Sequence, residues 1–379
     1  MSTLSVYVHF PFCVKRCRYC DFISYPWGGR SEYLAYLVLL QEELFLKVRT
    51  YALWGRQIET IYFGGGTPSL LGAEDLAGFL KNLKAVFVLP PQTEVTLELR
   101  PREAEILKVE SFRKIGINRL SIGIQSFEPR NLYLLGRDTP VAALVETIEK
   151  AREFYANWNI DLLYSLPLQD LGAWQKDLEK ALSFEPPHLS VYNLTLHPSV
   201  PLYWFWASHP RFFPSKEVEG ILWEWTVTRL KGEGYRHYEI SNFAKPGHEC
   251  QHNLAYWSNR EYLGLGVSAW SYLKETRERN TASLQSYFGK LKGGHLPISF
   301  RETLSPSRRV GEIIALGLRK EEGISIEELD GYPPGVVEEK IKTLSRLAEE
   351  GWLVEQEGRF SFSPRGWLLA NQVLAEIID

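Results

Sequence analysis

Six short runs rich in β-branched and aromatic residues recur through the first half of this chain. Each is followed by a longer stretch whose apolar positions have helical spacing. The runs are Ser5–His9, Thr60–Phe63, Glu94–Leu99, Arg119–Ile124, Asn159–Leu163 and Leu189–Asn193. The helical stretches are Glu32–Tyr51, Ala73–Val88, Arg102–Ile115, Val141–Trp158 and Ala173–Phe184, with Ser31 placed to cap the first and Gly116 to stop the third. Strands that alternate with helices pair side by side through right-handed crossovers, which constrains this half to an α/β fold with a parallel sheet. Six strands are too few for a closed eight-stranded barrel. The expectation is an open, partial six-stranded (βα)6 barrel.

In such units, ligands bind at the carboxyl ends of the strands. The chemically distinctive residues of the chain fall there. Cys13, Cys17 and Cys20 follow the first strand, and Gly64-Gly65-Gly66-Thr67-Pro68-Ser69 follows the second. Glu98 lies at the end of the third, Gln125-Ser126 follows the fourth, and Asp161 lies within the fifth. One site can be lined by all of them. The glycine turn has no lysine after it, so it is not a phosphate-cradling loop.

The three cysteines are spaced C-x3-C-x2-C, and only one other cysteine, Cys250, exists. Three thiolates can hold three irons of a [4Fe–4S] cube and leave the fourth open to a substrate. A zinc knuckle completed by His9 is the alternative, although structural zinc sites more often use two C-x2-C pairs. Four cysteines in 379 residues are not a disulfide framework. The net charge of −3 gives no basic field for nucleic acid. The first ten residues do not read as a secretory signal, and the apolar run at 33–40 is too short to span a bilayer. A cytoplasmic location is expected, with peripheral membrane contact left open.

Beyond residue 300, helical patterns at Ser305–Leu318 and Pro334–Glu349 lead into WLVEQEGRFSF, a hairpin turning at Glu357-Gly358. A last helix, capped by Ser363-Pro364, runs to Ile378. This is the layout of a winged-helix-like α+β domain. Its candidate recognition stretch carries as many acids as bases, so it suits a structural or protein-contact role better than phosphate binding. The division expected is 1–240 for the core, 241–299 for a connecting region and 300–379 for the C-terminal domain.

Taken together, YVHFPFCVKRCRYCDF, YFGGGTPS, INRLSIGIQSF, GYRHYEISNFAKPGHECQHNLAYW and the C-terminal LGLR and SPRG resemble the radical S-adenosylmethionine (SAM) superfamily. The likeness runs nearly end to end and is closest to its HemN/HemW group. The resemblance implies that Cys13, Cys17 and Cys20 ligate a [4Fe–4S] cluster flanked by Tyr7 and Tyr19. It implies that Gly65, Gly66 and Thr67 hold the methionine end of SAM, and that Glu98, Gln125, Arg137 and Asp161 contact the rest. An electron donor for the cluster would be a partner. The group has two branches: oxygen-independent coproporphyrinogen III dehydrogenases, and proteins that bind haem and pass it to acceptor proteins. Asp21-Phe22 after the third cysteine, the short segment before Cys13 and the HNxxYW signature at 252–257 favour the haem-binding branch. In that reading His252 is an axial haem ligand, Tyr256 and Trp257 offer flat surface to the macrocycle, and Cys250 is a second candidate ligand.

The chain also departs from the group. Its usual Asn-Pro after the third-strand glutamate is Leu99-Arg100-Pro101 here, and Ser165 and Leu168 stand where glycines are usual. Thr195-Leu196-His197-Pro198-Ser199 replaces Thr-x-Glu-Pro-Gly, and the G-x-G-x-G-A-H run ends as Ser268-Ala269-Trp270. These changes bear on the substrate side.

Overall fold

The computed structural model describes residues 3–378. Its centre is one mixed sheet of twelve strands. Leu4–Phe10 (β1), Ile58–Gly65 (β2), Glu94–Leu99 (β3), Arg119–Gln125 (β4), Asn157–Tyr164 (β5) and His188–Asn193 (β6) are the six strands expected, and they pair in parallel in that order. The sheet does not stop there. Arg236–Glu239 (β7) and Asn242–Ala244 (β8) form a hairpin that adds antiparallel to β6. On the other edge Tyr262–Leu265 (β9) joins β1 in parallel. Trp270–Leu273 (β10), Thr276–Asn280 (β11) and Ile298–Thr303 (β12) then extend it antiparallel. The parallel strands read as nearly continuous apolar runs because helices cover them, and β1 is buried at six of its seven positions.

The helices follow the sequence pattern with local shifts. Arg30–Tyr51 (α1) begins before Ser31, so Gly29 rather than Ser31 stands at its N-cap. The stretch 102–115 is two short helices, Glu103–Ile106 (α2) and Val109–Lys114 (α3). Between them Lys108 donates from Nζ to the carbonyls of Ser69, Leu70 and Leu71, so its ammonium serves the end of the glycine turn. Gly116, at φ 104°, ends this segment as the sequence suggests. Trp158 is buried within β5 rather than ending a helix.

One large core fills the sheet and its helices from Leu4 to Leu291, beside small apolar clusters around Leu163 and Tyr238. The 241–299 stretch is tied into it by a buried ion pair on α1. Lys47 Nζ lies 3.0 Å from Glu43 and also donates to Gly264, Ser271 and Asn280. Glu43 in turn accepts from Gly266, Asn280 and Tyr287. Such a pair leaves no charge unpaired, the condition under which buried ions are tolerated.

The C-terminal residues build a second core, from Val310 to Ile377. Helices Pro306–Gly317 and Pro334–Glu349 pack with a three-stranded antiparallel sheet of Ile324–Ser325, Leu353–Gln356 and Arg359–Phe362. Glu357 and Gly358, at φ 52° and 73°, make the tight turn expected of a two-residue hairpin loop. Ser363 caps as expected, accepting from Gly366, but the last helix is interrupted at Leu369. Among the described residues, no helix is long and apolar enough to cross a membrane.

Candidate cofactor cavity

The carboxyl ends of the parallel strands open into a cavity of about 530 Å³. Its lining includes Cys13, Cys17, Cys20, Tyr19, Gly65, Gly66, Thr67, Glu98, Gln125, Arg137 and Asp161. Eleven of the twelve residues that the resemblance assigns to the cluster and SAM therefore meet in one place; Tyr7 does not line it, nor does His252.

The glycine turn is built for close approach. Gly65 sits at φ 111°, and a Cβ there would meet the His9 ring at 2.5 Å. A Cβ on Gly66 would stand 2.5 Å from the Phe12 carbonyl oxygen. Only glycine lets the turn lie flat against the cysteine segment. Gly65 N–H donates to Glu98 (3.0 Å) and Gly66 N–H to Phe10 (2.7 Å), while Thr67 Oγ1 lies 3.6 Å from Cys13 Sγ.

Glu98 also accepts from the Tyr62 hydroxyl at 3.0 Å. Burial, reinforced by the Asp161 charge, pushes its carboxyl up to about 7. Burial raises Asp161 to about 6, although hydrogen bonds from Ser190, Asn159 and Ser121 oppose the shift. Two desolvated acids thus face the cavity, where a cationic ligand would favour their charged forms. On the basic side, Arg137 Nη1 donates to the carbonyls of Gly123 (2.6 Å) and Ile124 (3.4 Å). The strand end bulges between Gly123 and Gln125, and Gln125 adopts φ 74°.

The cysteines are free thiols at the cavity mouth. Burial pushes Cys20 up to about 11 and also raises Cys13. Among the described residues no three His, Cys, Asp or Glu side chains are drawn together tightly enough to hold a single metal ion. The donor chemistry nonetheless fits an iron–sulfur cube, since three partly exposed thiols border a cavity with polar walls. His9 is not placed as a zinc ligand. Its Nε2 donates to the Ile23 carbonyl, so Nδ1 accepts from the Tyr7 hydroxyl, and burial lowers its pKa to about 4. Tyr7 pairs with His9, whose ring lies against Gly65, and does not line the cavity.

His252 is found elsewhere, on Gln251–Trp257 (α4) under the cavity floor, and is 1% exposed. The Thr60 hydroxyl donates to Ser5, so it accepts from His252 Nδ1 at 2.7 Å; Nε2 then accepts from Tyr256 at 3.0 Å. The ring stacks on Tyr62 with centroids 5.0 Å apart. Burial holds its pKa down to about 3, so the imidazole is neutral. Glu94 accepts from the N–H groups of Gln251 and His252, Cys250 Sγ points at the same carboxylate, and Trp257 donates to Glu239. The signature is thus a docked support: Tyr62 touches His252 on one side and Glu98 on the other. The His–Tyr spacing of four, one helical turn, was the signal for it.

Sequence reasoning missed Tyr62, Ser121 and Tyr192 as lining residues, and treated Arg100 and His197 as departures. Arg100 was recoverable. Strand alternation puts it on the face that carries Glu98.

The fold and cavity define a radical SAM protein. The family model for the radical SAM superfamily matches residues 7–180, and that for the HemN C-terminal domain matches 304–369. The chain is 32% identical over 387 residues to heme chaperone HemW of Bacillus subtilis (strain 168), covering 99% of each, and 32% identical over 382 residues to HemW of Escherichia coli (strain K12). It is 30% identical to the mitochondrial radical S-adenosyl methionine domain-containing protein 1 of Danio rerio, over 99% of this chain and 86% of that one. The chain belongs to the HemW family. Its fold matches that of E. coli coproporphyrinogen III oxidase (HemN), a radical SAM enzyme, with TM-score 0.83 and 24% identity over 99% of this chain and 90% of the other.

Proposed function

We propose that this protein is a haem chaperone, which binds haem and passes it to acceptor proteins, and that it carries a [4Fe–4S] cluster and a SAM site. The observation that carries the reading is the end-to-end relation to proteins described as heme chaperones, joined to a cavity in which three cysteines border the polar residues of the strand ends. Cys13, Cys17 and Cys20 would hold the cluster, which supplies an electron from an outside donor to the sulfonium of SAM. Arg137 would take the carboxylate of SAM, and the two acids its positive groups. Gly66 keeps the turn close, Gln125 and Tyr19 border the ligand, and Tyr7 fixes His9 under the turn. The parallel strands would form a partial barrel over residues 1–240, followed by a connecting region to 299 and a winged-helix-like domain at 300–379.

Haem ligation by His252 would require the Tyr256 hydroxyl to be displaced from Nε2. Haemin titration of wild type and His252→Ala tests both levels. A Soret change in wild type supports the reading, and its absence ends it. A Soret change that persists in folded His252→Ala assigns the ligand to another residue. The dehydrogenase of the same group is the competing reading; product from coproporphyrinogen III in an anaerobic assay with reductant and SAM would favour it.

A further inference from the structure

Arg100 stands where the group usually has the asparagine of Asn-Pro. It is 7% exposed and lines the cavity. Its Nη1 donates to the Lys15 carbonyl at 2.8 Å, in the segment that carries the cysteines. Its Nε and Nη2 are buried and have no hydrogen-bond partner among the described residues. The nearest carboxylate is Asp138, whose Oδ1 lies 3.5 Å from Nη2. Asp138 is half-exposed and shared with Lys15 and Arg102, so it compensates Arg100 weakly.

A buried guanidinium with two idle donors costs stability unless an anion meets it. Cys17 and Asp138 favour its charge; burial, Arg137 and Arg102 oppose it. Arg137 borders the same cavity. An acceptor with two oxygens in a plane would satisfy Nε and Nη2 together, the fork geometry that guanidinium offers to carboxylates. Asparagine at this position could not supply that charge.

We propose that Arg100 forms a carboxylate subsite in the cavity wall that the asparagine of the group does not provide, through Nε and Nη2, which lack hydrogen-bond partners among the described residues. This rests on the SAM site and on the haem binding proposed above. Two ligands could bring the carboxylate: the methionyl arm of SAM, which Arg100 would then share with Arg137, or a propionate of the tetrapyrrole.

The experiment compares cluster-reconstituted wild type, Arg100→Asn and Arg100→Lys, matched for iron content, in binding four probes. These are SAM, decarboxylated SAM, haemin and haemin dimethyl ester. If the methionyl carboxylate docks on Arg100, Arg100→Asn weakens SAM roughly ten-fold or more, as expected for a charge-assisted pair, and leaves decarboxylated SAM unchanged. If a propionate docks there, haemin weakens and its diester does not. Arg100→Lys, which keeps the charge but not the fork, recovers part of either loss. Equal weakening of acid and acid-less probes overturns the subsite and makes Arg100 a support for the cysteine segment. Undiminished binding of SAM and haemin in Arg100→Asn also overturns it. Wild type that binds neither fails the proposed function itself and takes the subsite with it.

Discussion

Two buried polar regions of the same sheet are finished differently. At the β1–β9 edge, Glu43 and Lys47 have neutral or opposite partners on every side, drawn from α1, β9, β10, β11 and Tyr287. At the strand ends, Glu98 and Asp161 are held up by burial, and Arg100 has idle donors among the described residues. The first region is complete without a ligand and specifies the fold. The second keeps two carboxyls whose charge burial disfavours and a guanidinium short of acceptors, as expected where a ligand is to supply the balance. The seat of His252 belongs with the first kind, since both ring nitrogens are occupied.

Substitutions separate the two. Glu43→Ala leaves the Lys47 charge uncompensated, with an expected loss of about 3–5 kcal/mol in chemical denaturation. A loss below about 1 kcal/mol would show that the region is not the closed network described. His252→Ala removes a packed ring and two hydrogen bonds, and should cost about 2–4 kcal/mol. Full stability in that variant would return His252 to the candidates for a purely ligand-binding role.

Glu98→Gln should behave the opposite way. The folded-state carboxyl titrates near 7, above its ordinary value of 4.5. The folded state therefore favours the proton. Stability from this group is fully present below pH 4.5 and is lost as pH rises through 7. Glutamine does not titrate, so the variant should gain on wild type by about 1–2 kcal/mol between pH 5 and pH 8, once the cavity's solvent is allowed for. The same titration makes SAM binding weaken as pH falls through 7 and 6, where Glu98 and then Asp161 are neutralised. Calorimetry at several pH values checks this; affinity that does not change would remove the two acids from the site.

The smallest effect concerns the backbone. Leu168, exposed and at φ 59°, occupies a left-handed position where the group has glycine. Leu168→Gly should raise stability by about 0.5–1 kcal/mol, the side-chain strain relieved less the added chain entropy. No gain would mean that the loop relaxes around leucine. Ser268 has the same backbone, φ 61°, but Ser268→Gly would lose the bonds from Arg279 and should not gain.

The parallel strands were legible because strand–helix alternation is a local pattern, and all six were found with shifts of a few residues at most. The further six strands were not. β7 to β10 have only three or four residues each, and β11 and β12 carry charged residues such as Arg277, Glu278 and Arg301 that hide any alternation. Their place in the sheet depends on pairing with distant strands. Cavity residues were legible because strand ends converge by topology alone. The seat of His252 was not legible, for the opposite reason. A histidine with aromatic neighbours reads the same whether its nitrogens are free or bonded, and only Thr60, 192 positions away, decides between them.

The most direct test of the central claim is anaerobic reconstitution of the intact chain with iron and sulfide, followed by its spectrum before and after SAM. The account predicts brown protein with about four irons per chain, a reduced-cluster resonance that changes when SAM binds, and loss of both in Cys17→Ala. Colourless protein that takes up zinc in place of iron, or a cluster whose signal ignores SAM, would contradict it.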